Sequence, residues 1–125
     1  MIAMTLIVRE KNIMNENWCG TYKLDENRNA IPCSTIEWGE QHEQMRRDCT
    51  KHVADETIDD KRISTVWLGL DHQWNENGPP LIYETMVFNG DPHEIYCKRY
   101  STWQEAEKGH HRAVQWVKNG CQEDE

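Results

Sequence analysis

The sequence predicts an α+β fold: an antiparallel β-sheet, built from an N-terminal hairpin and about four strands, packed by two α-helices. Three observations predict it. The segment Ile63–Tyr100 carries strongly apolar runs of strand length, rich in β-branched and aromatic residues. Two helix-length segments each open on a capping pattern. Short polar turns join consecutive runs at hairpin spacing, so sequence neighbours are expected to pair antiparallel.

The elements follow in order. Met4–Val8 reads as a short strand within a loose N-terminal segment, residues 1–17. Thr21–Leu24 and Ala30–Cys33 read as a hairpin around the polar turn Asp25–Asn29. Ser34 and Glu37 then form a capping box, opening a helix to about Asp48. Its acidic residues precede Arg46 and Arg47, which suits the helix dipole. Trp38, His42, Met45 and Cys49 share one face of it. Lys51–Ile58 and Arg62–Leu70 read as strands joined by a tight Asp59-Asp60-Lys61 turn. Arg62–Leu70 is apolar on both faces, which predicts a central strand covered on both sides by a helix or a second subunit. Leu81–Phe88 and Glu94–Tyr100 form the next pair, with Pro79 and Pro80 bounding the first of them. Ser101 and Gln104 read as a second capping box, opening a helix over Thr102–Lys118. Trp103, Ala106, His110, Ala113, Val114 and Val117 make its inner stripe. Gly120 stops it before an acidic tail.

A chain of 125 residues suits a single domain, 1–125, with an ordered core over about 18–119. Hydrophobic content is low at 37%, but six Trp and four Tyr supply buried area in large rings. The 14 basic residues are interspersed among 22 acidic ones, for a net charge of −8. That balance argues against direct nucleic-acid binding, which needs clustered Lys and Arg. No apolar run reaches the ~18 residues of a membrane span, and the N-terminus lacks the marks of a signal peptide. Five scattered cysteines without a CxxC motif are expected to be reduced thiols, mostly small core residues.

Chemistry is expected first in the loop Asp71–Pro80. Asp71 and His72 follow the end of a buried strand, where a scaffold holds a side chain that still meets solvent. Asp–His adjacency suits general base work, whereas the plainer reading has Asp71 capping the loop backbone and His72 at the surface. Glu84 sits inside the apolar run LIYETMVF. Burial there requires a partner, Arg99 or Lys98 on the next strand or a helix residue, or else a role at a ligand pocket. His110 falls on the apolar stripe of the last helix, so a hydrogen-bonded core histidine is the default. Trp74 belongs to a dense aromatic set, with Trp67, Tyr83, Phe88, Tyr96, Tyr100 and Trp103, that is able to stack a base or to fill a core. No metal-binding spacing, glycine-rich phosphate loop or nucleophile elbow is present in the sequence, so no cofactor or metal is expected.

Three blocks, STVWLGLDH (Ser64–His72), GPPLIYETMVF (Gly78–Phe88) and RYSTWQEAEKGH (Arg99–His110), together resemble a family of small phage and prophage proteins of unknown function. The resemblance covers about residues 20–118, while the QWNEN stretch between His72 and Gly78 looks individual to this chain. It implies a phage origin and the host cytoplasm, and carries over no catalytic residue. By class analogy it implies an accessory protein of host takeover or counter-defence. Such a protein would bind a host defence protein or sequester a nucleotide-type signal, through Asp71, His72, Trp74, Glu84, Arg99 and His110, as a homo-oligomer. A hydrolase-like enzyme using Asp71, His72 and Glu84 is the alternative, as is an acidic DNA mimic. An aromatic pocket with convergent Arg and His would favour sequestration, a flat acidic face mimicry, and three converging polar groups an enzyme.

Overall fold

The computed structural model describes residues 20–71, 78–90 and 94–122. The expected strand Met4–Val8, the loop residues His72 and Trp74, and the last three residues lie outside them. The chain is α+β, with an N-terminal hairpin, four further antiparallel strands and two helices packed on strands. Its described residues group into two compact units: the chain up to Lys51 together with Leu68–Ile82, and His52–Trp67 together with Tyr83 onward.

In the first unit, β1 (Tyr22–Leu24) pairs with β2 (Ala30–Pro32) in a ladder of their own. Asp25 closes their turn, its carboxylate accepting from the backbone N–H of Asn27 and Asn29 at 2.8 and 2.9 Å. That is the local hydrogen bonding that makes Asp a turn residue. Helix α1 (Thr35–Asp48) opens on the reciprocal Ser34–Glu37 capping box and ends on Cys49 in the left-handed region. No residue of α1 is fully buried. Polar contacts hold it instead: Gln41 bonds both the N–H and the C=O of Leu24 at 2.9 and 2.8 Å, and Trp38 Nε1 donates to Leu68 O at 3.0 Å. Gly69 permits that approach. Its φ is +69°, and a Cβ there would lie 2.8 Å from Trp38 Nε1.

In the second unit, β3 (His52–Ile58), β4 (Lys61–Trp67), β5 (Tyr83–Asn89) and β6 (Glu94–Tyr100) form one sheet in that order, antiparallel throughout. Asp59 and Asp60 both take positive φ, as a two-residue hairpin turn of matching twist requires. Helix α2 (Trp103–Lys118) packs across all four strands. Ile63, Val87, Ala113, Val114 and Val117 make the core between them. Trp67 and Tyr83 meet edge to face beside it, with ring centroids 5.0 Å apart.

Three expectations shift. Strand β4 stops at Trp67 rather than Leu70, because its last ladder partner is Tyr83. The N–H groups of Leu68 and Gly69 then both turn to Ile82 O, and Leu70 bridges to Thr21. The second capping box is Thr102 with Glu105, one residue later than Ser101 with Gln104. Glu105 accepts from the backbone N–H of both Ser101 and Thr102, and a charged carboxylate holds those donors more strongly than an amide would. Of the four described cysteines only Cys33 is buried. The others sit where backbone shape or pleat decides: Cys49 and Cys121 at positive φ, Cys97 on β6.

Candidate functional site

Asp71 serves the backbone. Its carboxylate accepts from Leu81 N–H at 3.0 Å, and its own N–H donates to Gly20 O at 2.9 Å. Glu84 and Arg99 are register partners on β5 and β6, and Arg99 Nε donates to the buried Glu84 carboxylate at 3.0 Å. Cys97 stands beside the pair with Sγ 3.6 Å from Glu84. Burial, and then the Glu84 charge, push its thiol above the ordinary range. This pair lies on one face of the sheet. His110 lies on the other, under α2. The structure therefore joins Glu84 with Arg99 and separates both from His110, while Asp71 belongs to the first unit.

His110 anchors a buried polar chain. It is 5% exposed. Its Nε2 meets Glu56 Oε2 at 2.8 Å, and its Nδ1 meets Thr65 Oγ1 at 2.7 Å. Thr65 in turn meets Thr85 at 2.5 Å, both hydroxyls fully buried. The sheet register produces this alignment: Glu56 pairs with Ile63, two residues before Thr65, and Thr65 pairs with Thr85. Alternation puts all three side chains on the face that α2 covers. Thr85 pairs with Lys98, so Tyr100, two residues on, is its diagonal neighbour on that face. Burial pushes the Tyr100 phenol above its ordinary range, against the opposing pull of the nearby Arg112 charge.

Tyr100 also lines a cleft between β6 and α2. Its volume is about 680 Å³, within the usual span of small-molecule sites, roughly 300–1,000 Å³. Strand β6 contributes Tyr96, Lys98 and Tyr100 by simple alternation. From α2 and the turn after it come His111, Arg112, Gln115, Trp116, Lys118, Asn119 and Gln122. The Tyr96 and Trp116 rings touch, centroids 4.9 Å apart, and Lys98 Nζ lies 6.0 Å over the Tyr96 ring. Gly109 lets the Tyr100 ring lie against the helix: a Cβ there would come within 2.1 Å of it. In a chain of net charge −8, the described lining thus gathers three potential stacking rings, three permanent cations, a histidine and amides.

Of the four expected site residues that the structure describes, Asp71, Glu84, Arg99 and His110, none lines this cleft. His110 meets Thr65 and Glu56 instead, and His72 and Trp74 lie outside the described residues. The signal in the sequence was the alternation Tyr96-x-Lys98-x-Tyr100 followed by His111-Arg112 and Trp116-x-Lys118, cations interleaved with rings on two consecutive elements. Among the described residues, no group of three or more His, Cys, Asp or Glu is placed to hold a metal ion. Nor is any helix among them long and apolar enough to cross a membrane. No protein-family model, no curated protein and no solved structure matches the chain. The functional reading therefore rests on the chemistry of the cleft.

Proposed function

We propose that this protein binds a nucleotide-type small molecule, an aromatic base carrying phosphate, in the cleft between β6 and α2, and acts by sequestering it. One observation carries the reading: rings and cations converge on one cleft of ligand size within an acidic chain. Trp116 and Tyr96 offer π-faces for a base, and Lys98, Arg112 and Lys118 offer charge to a phosphate. His111 and the amides of Gln115 and Asn119 add hydrogen bonds. These are groups that hold a ligand, which favours capture over turnover. In the phage setting that the sequence blocks resemble, capture would withdraw a nucleotide signal from a host defence.

The magnitudes are sufficient. A stacked base contributes about 1–3 kcal/mol, and two charge-assisted hydrogen bonds about 1.5–3 kcal/mol each. Their sum, roughly 4–9 kcal/mol, corresponds to dissociation constants from about 1 mM to about 0.3 μM. Calorimetric titration with AMP, ADP, cyclic AMP and adenosine tests this. At least one nucleotide is expected to bind in that range, with adenosine at least tenfold weaker. Trp116→Ala and Arg112→Ala are each expected to weaken binding about tenfold or more. If no nucleotide binds at millimolar concentration, or the variants bind as the parent does, the reading fails.

A further inference from the structure

The cleft has a ring station at each end, and cations stand between them. Strand β6 runs into α2 through a short turn, so the helix returns along the strand in the opposite direction. Two contacts fix the match. Tyr100, the last residue of β6, lies against Gly109 in the second turn of α2. Tyr96, four residues earlier, meets Trp116 near the end of the helix, with ring centroids 4.9 Å apart. Strand geometry puts Tyr96 and Tyr100 about 13 Å apart on one face. Helix geometry puts Gly109 and Trp116 about 10 Å apart. The two elements therefore carry the same pair of stations at nearly the same spacing.

Lys98 is the midpoint on the strand, about 7 Å along the backbone from either tyrosine. Arg112 is the midpoint on the helix, three residues after Gly109 and four before Trp116. Both cations are exposed and line the cleft, whereas the three rings are half-buried. Tyr100 is held from the helix side at Gly109 and still belongs to the lining, so its ring is a platform fixed before any ligand arrives. Lys98 Nζ stands 6.0 Å from the Tyr96 ring centroid, beside the other platform. From end to end the order is ring, cations, ring.

A mononucleotide occupies one of these stations and leaves the second ring without a base. Two bases stacked on each other do not span the stations, because stacked neighbours in a strand rise by only about 3.4 Å. Two bases splayed apart, with a phosphodiester between them, match the order and the spacing together. We propose that the ligand of this cleft is a dinucleotide held splayed, one base on the Tyr96–Trp116 pair, the other on Tyr100, and the linking phosphate between Lys98 and Arg112. This rests on the binding function proposed above and narrows its ligand class. Charge limits the length of the ligand. A longer single strand carries its further phosphates past the cleft, against a chain of net charge −8.

Calorimetric titration compares adenylyl-(3′→5′)-adenosine with the methyl ester of AMP, which has one base and the same single phosphodiester charge. The dinucleotide is expected to bind one to one and at least tenfold tighter, because it gains a second stacked base. Replacing its phosphodiester by a neutral methylphosphonate should weaken it about tenfold or more. Tyr100→Leu should bring the dinucleotide within about threefold of the ester, and Tyr100→Phe, which keeps the ring, should restore the parent affinity. The ester retains the Tyr96–Trp116 station in Tyr100→Leu, so its affinity should change less than about threefold, which also shows that the variant is folded. Intermolecular nuclear Overhauser contacts on the parent protein need no variant: one adenine should touch the Trp116 or Tyr96 ring and the other the Tyr100 ring. Both adenines at one station, a dinucleotide no tighter than the ester, or an advantage that survives Tyr100→Leu overturns the proposal. If the ester binds and the dinucleotide gains nothing, the splayed ligand falls and the nucleotide-binding function stands. If neither binds at millimolar concentration, the function falls and the dinucleotide with it. An eight-residue oligoadenylate that binds more tightly than its number of dinucleotide registers accounts for would make the partner single-stranded nucleic acid, and overturns the dinucleotide.

Discussion

Trp67 shows how one side chain can hold a sheet without its polar atom. It is 1% exposed, at the end of a central strand, edge to face with Tyr83. Its indole N–H is buried and finds no hydrogen-bond partner among the described residues. The stabilisation it provides therefore comes from ring area and the aromatic contact. Trp67→Ala is expected to cost about 3–5 kcal/mol, as deletions of large buried rings do. Trp67→Phe, which keeps a ring and removes the unpaired donor, should cost clearly less. Denaturant titration of both variants checks this; equal losses would show that the N–H has a partner of consequence.

At the scale of elements, end chemistry decides where helices start. Ser101 and Thr102 are both able to cap α2, and both Gln104 and Glu105 stand at capping-box distance from one of them. The charged pairing prevails, with Thr102 Oγ1 accepting from Glu105 N–H at 3.1 Å. Thr102→Ala is expected to lose about 1 kcal/mol, and Gln104→Ala less than about 0.5 kcal/mol. The reverse order in thermal melts would return the cap to Ser101. Helix α1 adds a pH effect. The Lys23 ammonium, and then the Ser34 capping bonds, pull Glu37 from 4.5 to about 2. A carboxylate lowered on folding adds stability that is complete above its ordinary value and lost as pH falls through the folded value. The attachment of α1 should therefore weaken between about pH 4.5 and 2, and Glu37→Gln should remove that part of the acid dependence. Denaturation midpoints at pH 6 and 2.5, compared between the two proteins, measure it. These examples also mark what was legible in the sequence. Periodicity, caps and turns have local causes, so both helices, the hairpin turn at Asp59-Asp60 and the Glu84–Arg99 pairing could be read from neighbours in the chain. The cleft could not. Tyr96, Lys98 and Tyr100 look like one exposed strand face, and His111, Arg112 and Trp116 like an ordinary solvated flank. Only the packing of α2 on β6 turns them toward a common space. The buried polar chain of His110 was hidden likewise, since Glu56, Thr65 and Thr85 come together through register across three strands.

Taken as a whole molecule, the two units rest on different physics, and their stability should differ accordingly. Helix α2 buries Ala106, Gly109, His110, Ala113, Val114 and Val117, against strands whose inner-face residues Ile63, Thr65, Thr85 and Val87 are fully buried. Opening it exposes apolar surface, at about 25 cal/mol per Å², and also unpairs the buried hydroxyl chain. Helix α1 buries no residue completely. It is held by the two Gln41 bonds to Leu24, the Trp38 bond to Leu68 O and the exposed Lys23–Glu37 pair. Hydrogen bonds of this kind contribute about 0.5–1.5 kcal/mol each, and solvent screens an exposed ion pair. Local opening free energies follow such differences in burial. Native-state hydrogen exchange is therefore expected to show the amides of α1 opening well below the free energy of β4, β5 and α2. Gln41→Ala should lower α1 protection further and leave α2 protection unchanged, because its two bonds are confined to the hairpin. Uniform protection across both helices, or a Gln41→Ala effect that spreads equally to α2, would show that the two units open as one and that the contacts within α1 are not what limits its stability.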